Sequence, residues 1–236
     1  MVNDFQRRDF ADDEDLASAF ADWTAEKLSA AIDERGAALF VVSGGKSPAG
    51  YFRALSTLPV DWTRVSITLA DERRVPDDSP RSNARFVRET LLRNHAAAAT
   101  FIPLADARLS EDQELAAASA RVANLPLPAD LVVLGMGDDG HTASWFPGAA
   151  GLADAMDQGC RQLVAPIQAP DAPEPRLTLT GRVVLRARSI ALLIEGQDKM
   201  STLAKALEDG PAEAMPIRTV LRRAADRLTI FAANRA

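Results

Sequence analysis

Residues 132–148 read VVLGMGDDGHTASWFPG, and they hold one of the two histidines in a chain of 236 residues. His141 follows Asp138, Asp139 and Gly140. Histidine is the side chain whose ordinary charge change falls between pH 5 and 8, which suits a general base that later acts as an acid. Asp139, two residues earlier, can hold one ring nitrogen, fixing the tautomer and leaving the other nitrogen free to take a proton. The same stretch also spells G-x-G-x-x-G through Gly135, Gly137 and Gly140, the spacing of a dinucleotide-binding turn. Two features oppose that reading. Asp138 and Asp139 would set two carboxylates beside a pyrophosphate. Pro147 and Gly148 arrive seven and eight residues after Gly140, leaving barely two turns for the helix that must follow. The glycines are therefore read as a turn that presents His141, and no cofactor is expected. His95, in RNHAAAA, reads as a surface residue at a helix end.

Three further segments carry functional side chains. SGGKSP (43–48) has Ser43, Gly44, Gly45, Lys46 and Ser47 ahead of a predicted helix, where free backbone N–H groups and a positive dipole end favour an anion. It is not a Walker A loop, since Phe40 stands where the first glycine would be. DERR (71–74) holds Asp71, Arg73 and Arg74, and either arginine can clamp an oxyanion or a phosphate. Arg176, opening RLTLT, and Lys199, in EGQDK, are cations near strand or loop ends. Ser144 is not in a G-x-S-x-G elbow, so it is not read as a nucleophile. One histidine with scattered acids is no zinc set, and no metal is expected.

These segments need elements to position them. Apolar spacing predicts a helix over 15–35, ended by Gly36, and helices over 49–58, 82–92, 111–124, 197–208 and 216–224. Apolar runs predict strands over 38–44, 64–72, 130–137, 162–167, 176–180, 189–196 and 227–234. Their alternation predicts an α/β fold: a Rossmann-like, mostly parallel sheet with helices on both faces. In such sheets ligands sit beyond the carboxyl ends of the strands, where SGGKSP, DERR and GMGDDGHTAS fall. The proline-rich stretch 166–175 is read as a loop, so residues 1–236 are taken as a single α/β domain.

Composition bounds the partners. Hydrophobic residues make up 47% and charged residues 25%, enough for a sizeable core. The net charge of −6 disfavours nucleic acid, so an anionic ligand requires locally gathered cations. One cysteine, Cys160, allows no internal disulfide. The N-terminal MVNDFQRRDFADDEDL is no signal peptide, and no apolar run would span a membrane. A cytoplasmic protein, monomeric or a weak homo-oligomer, is expected.

In order and spacing, SGGKSP, LADERRVPDDSPRSN, GMGDDGHTASWFPG, PRLTLT and EGQDK resemble the 6-phosphogluconolactonase family. The resemblance runs from about residue 40 to residue 200, and the first 36 residues add little. It implies the sugar-phosphate isomerase/deaminase type of fold, without a nucleotide. It also implies hydrolysis of 6-phospho-D-glucono-1,5-lactone to 6-phosphogluconate in the oxidative pentose phosphate pathway. On that basis His141 matches the catalytic histidine, and Asp71, Arg73 and Asp139 match active-site polar residues. Gly44, Gly45, Arg176 and Lys199 match positions lining the substrate or its phosphate. Lys46 departs from the small polar residue often found there. The related deaminases carry a glutamate where this chain has Phe146, which cannot move a proton. A sugar-phosphate sensor and a nicotinamide enzyme are the remaining alternatives.

Overall fold

The computed structural model describes residues 5–45, 48–169 and 173–233. Its ten strands are β1 (Gln6–Phe10), β2 (Ala38–Val42), β3 (Val65–Leu69), β4 (Asp71–Arg73), β5 (Thr100–Ile102), β6 (Leu131–Leu134), β7 (Val164–Ile167), β8 (Arg176–Leu179), β9 (Ile190–Glu195) and β10 (Leu228–Ala233). The α-helices are α1 (Asp13–Arg35), α2 (Ala49–Ser56), α3 (Asn83–Thr90), α4 (Glu111–Ala123), α5 (Leu152–Met156), α6 (Gly181–Val184), α7 (Gln197–Leu207) and α8 (Ile217–Arg223).

Seven strands form one sheet in the order β1-β10-β9-β6-β2-β3-β5, and every neighbouring pair is parallel. Side chains alternate between the two faces of a strand. All five residues of β2 and all four of β6 are buried, so both faces are covered there. The helix α1 contributes much of that cover, packing on β2, β6 and β10. It starts where Asp12 accepts hydrogen bonds from the N–H groups of Glu14 and Asp15, each at 2.9 Å. It ends where Gly36 takes φ +80° and donates its N–H to the Ile32 carbonyl. Phe20 and Trp23 of α1 meet Tyr51 of α2 and Phe231 of β10 in one aromatic cluster.

Three departures from the sequence reading matter. First, the expected strand over 64–72 is two strands in two sheets. Ala70 is the joint: its N–H donates to Val42 O and its carbonyl accepts from Leu179 N, both at 2.8 Å. The chain thus passes between sheets without stranding a backbone polar group. Second, the stretches at 162–167 and 176–180 do not join the parallel sheet. They form a three-stranded antiparallel sheet, β4-β8-β7, in which Asp71 pairs with Thr178 and Arg73 with Arg176. Third, β1 and β5 were not expected. The edge strand β1 is charged and largely exposed, and β5 has three residues, so neither shows a buried apolar run.

The strand order reverses between β2 and β6, since β3 and β5 lie on one side and β9, β10 and β1 on the other. That reversal opens a crevice beyond the carboxyl ends of β2 and β6.

Candidate active site

A cleft of about 240 Å³ occupies the crevice. It is lined by Ser43, Gly44 and Gly45 after β2, by Asp71 and Arg73 of β4, and by Arg176 of β8. Met136, Gly137 and His141 after β6, and Lys199 of α7, complete the wall with Asn83 of α3. Lys46 and Ser47 lie outside the described residues.

The turn after β6 builds the pair at its centre. Gly137 N donates to His141 O at 2.9 Å, and Gly140, at φ +78°, donates its N–H to Gly137 O at 3.0 Å. The chain doubles back so tightly that Asp139 Oδ1 accepts from the His141 backbone N–H at 3.0 Å and meets His141 Nδ1 at 2.6 Å. Burial pushes the Asp139 carboxyl up, but the hydrogen bonds and charge of His141 outweigh it and leave it below the ordinary aspartate range. An ionised carboxylate can only accept, so Nδ1 carries the proton and Nε2 is left without one. No long helix follows Gly140; the next described one is α5, at Leu152. The glycine spacing therefore does not open a dinucleotide-binding helix.

Positive charge gathers opposite. Arg73 and Arg176 are cross-strand partners. Arg73 Nη1 donates to Arg81 O at 2.5 Å. The Nε atoms of Arg73 and Arg176 are both buried and have no hydrogen-bond partner among the described residues. Burial draws the Arg176 guanidinium below its ordinary value, against the support of Asp71; an arginine stays cationic at any working pH regardless. Lys199 comes from the first turn of α7 and donates its Nζ to Met136 O. Arg74 points elsewhere, pairing with Glu114 of α4 at 2.6 Å and donating to Leu109 O at 2.5 Å. His95 is exposed on the segment Asn94–Ala98, outside the cleft lining.

Asp71 is 6% exposed. Its Oδ2 accepts from Ser144 Oγ at 2.5 Å and lies 3.8 Å from Arg176 Nη1. Ser144 is fully buried, donates to this carboxylate and is not part of the cleft lining. The cap of α3 is Ser82, whose side chain accepts from Arg85 N. Asn83 instead donates its Nδ2 to Asp71 O at 2.8 Å, while its backbone N–H donates to Glu72 Oε1 at 2.8 Å. A Cβ on Gly44 would lie 2.0 Å from Asn83 Oδ1, so Gly44 has no side chain because Asn83 fills that place. Asn83 and Ser144 escaped the sequence reading as site residues because their partners lie on other elements, and Phe146 because the cation it meets, Arg176, lies on β8. Among the described residues no three His, Cys, Asp or Glu side chains converge as a metal site.

Fold and site together define a class of α/β proteins that set an Asp–His pair and a group of cations at the sheet's switch point. Residues 11–230 match the family model described as Glucosamine-6-phosphate isomerases/6-phosphogluconolactonase. The 6-phosphogluconolactonase of Rhizobium meliloti (strain 1021) is 47% identical over 216 residues, covering 92% of this chain and 93% of that protein. That of Pseudomonas aeruginosa is 47% identical over 207 residues, covering 87% of each. A 6-phosphogluconolactonase structure from Shewanella baltica OS155 superposes with a TM-score of 0.93 at 39% identity, covering 97% of both chains. A monomeric glucosamine-6-phosphate deaminase shares the fold, with a TM-score of 0.79 at 19% identity over 97% of both chains. The chain belongs to the glucosamine-6-phosphate isomerase/6-phosphogluconolactonase family.

Proposed function

We propose that this protein hydrolyses 6-phospho-D-glucono-1,5-lactone to 6-phosphogluconate, with His141 as general base. The carrying observation is the 2.6 Å contact between His141 Nδ1 and Asp139 at a cleft lined by Arg73, Arg176 and Lys199. The relatives' activity agrees with it. Nε2 takes a proton from water as the water oxygen bonds to the lactone carbonyl carbon. The tetrahedral intermediate then collapses, the bond from that carbon to the ring oxygen breaks, and His141 returns the proton to the departing oxygen. Asp139 keeps the imidazole in one orientation and offsets its charge while it is protonated. General catalysis of this kind supplies about 10²–10⁴-fold.

The developing oxyanion needs donors, each worth about 3 kcal/mol, and Arg73 suits that task. The phosphate is remote from the reacting carbon. Arg176, Lys199 and the Gly44–Gly45 loop, with Lys46 and Ser47 beyond it, would hold it and so fix the carbonyl against the base. Phe146 supports hydrolysis over deamination, since its ring lies 4.2 Å from the His141 ring and has no proton to move.

The test is a rapid lactonase assay read above spontaneous hydrolysis. Wild type should turn over, and His141→Ala should lose about 10²–10⁴-fold in kcat. Ammonia release from glucosamine 6-phosphate should be absent. Equal rates for the two proteins, or robust deamination, would overturn the reading.

A further inference from the structure

Phe146 touches both ends of the proposed chemistry. Its ring centroid lies 4.2 Å from that of His141, with the planes 34° apart. The guanidinium carbon of Arg176 lies 4.9 Å from the same centroid. The backbone that carries the ring is fixed. Next to it, Trp145 is fully buried and donates its indole N–H to Leu179 O at 3.0 Å. The backbone N–H of Phe146 donates to Ser144 O, and its carbonyl accepts from Ala149 N. Ser144, two residues earlier, fixes Asp71, and Asp71 faces Arg176. One short segment, 144–146, therefore braces Asp71, Arg176 and His141 together.

We propose that Phe146 is a positioning residue that sets His141 and Arg176 in a single stack, tying the orientation of the base to that of the cation. The inference rests on the lactonase reading above. An aromatic face attracts a cation. It therefore holds Arg176 and also favours the imidazolium that forms when His141 takes a proton. A guanidinium with few hydrogen bonds is free to swing unless something flat lies beneath it. Here the flat surface is shared with the base. A substrate whose phosphate is seated on Arg176 thus finds the imidazole already placed. An aliphatic side chain of similar size would fill the space without ordering either partner.

The experiment compares wild type, Phe146→Leu and Phe146→Tyr on the lactone with and without its phosphate, after thermal melts establish folding. Leucine should lower kcat about 10- to 100-fold, the scale of a misplaced catalytic group. It should also shrink the preference for the phosphorylated lactone several-fold, whereas tyrosine recovers most of both losses. Proton NMR supplies a readout independent of turnover. The chain has two histidines, so His95→Gln assigns the His141 ring protons. Those protons should be shifted upfield by the Phe146 ring, and the shift should vanish in the leucine variant. Phe146→Met replaces the leucine variant, under the same criteria, if leucine does not fold. A leucine enzyme within twofold of wild type in kcat and in phosphate preference would overturn the inference. So would a tyrosine enzyme as impaired as the leucine one, or an unshifted His141 signal. Failure of the underlying reading looks different: wild type itself would not hydrolyse the lactone.

Discussion

Gly137 and His141 exclude any side chain between them. A Cβ on Gly137 would lie 2.2 Å from His141 Cε1 and Nδ1 and 2.8 Å from Asp139 Oδ1. The Asp139–His141 pair exists because position 137 carries hydrogen alone.

Gly137→Ala should therefore act as a catalytic lesion. Its φ is not in the left-handed region, so the backbone accepts alanine. The imidazole has to rotate off Asp139 to make room. Kinetics should show kcat reduced by about 10²-fold. The thermal melt should stay close to wild type, since the pair is partly exposed and contributes little to stability.

Asp139→Asn should separate orientation from charge. Asparagine keeps the shape but can present an N–H to Nδ1, which favours the wrong tautomer, so kcat should fall by about 10²–10⁴-fold. Stability should change little. The folded carboxyl sits below its ordinary range. Its contribution is thus present above the unfolded value of about 3.9 and lost as pH falls through the lower folded value. Asp139 is 49% exposed, so that contribution is below about 1 kcal/mol. Urea midpoints of the two proteins should differ slightly at pH 7 and converge in strong acid.

The adjacent arginines should behave oppositely. Arg74→Ala leaves the buried Glu114 without its ion-pair partner, although Asp106 N still donates to it at 2.7 Å. It should cost about 3 kcal/mol in denaturant titration while the folded enzyme keeps its kcat. Arg73→Ala should cost less stability and more turnover. Equal stability losses would mean that Arg74 does not support Glu114 as its geometry implies.

Arg176→Ala and Lys199→Ala should weaken capture of the phosphorylated lactone more than that of a lactone without phosphate. A difference of about tenfold or more in kcat/KM between the two substrates is expected, as for a lost charge-assisted hydrogen bond. Equal effects would place both cations away from the phosphate.

Local signals in the chain were enough for much of this protein. The helical spacing of apolar residues in α1, its stop at Gly36, the wholly apolar β2 and β6 and the apolar run of β9 up to Ile194 depend on neighbours a few residues away, so α1 and the central strands were legible. The Asp139–His141 pair is equally local, since both side chains sit on one turn. Tertiary structure alone decided the rest. That 65–73 divides between two sheets depends on Leu179 meeting Ala70, more than a hundred residues away. The antiparallel pairing of β4 with β8 brings Arg73 and Arg176 face to face, and turns Arg74 toward α4 instead. Asn83 against Gly44, Ser144 on Asp71 and Phe146 beneath Arg176 are contacts across elements. A sequence carries periodicity and capping because these act over a few residues. Which distant side chains share a cleft is settled by how the sheets pack, where burial and the pairing of every backbone polar group must be satisfied at once.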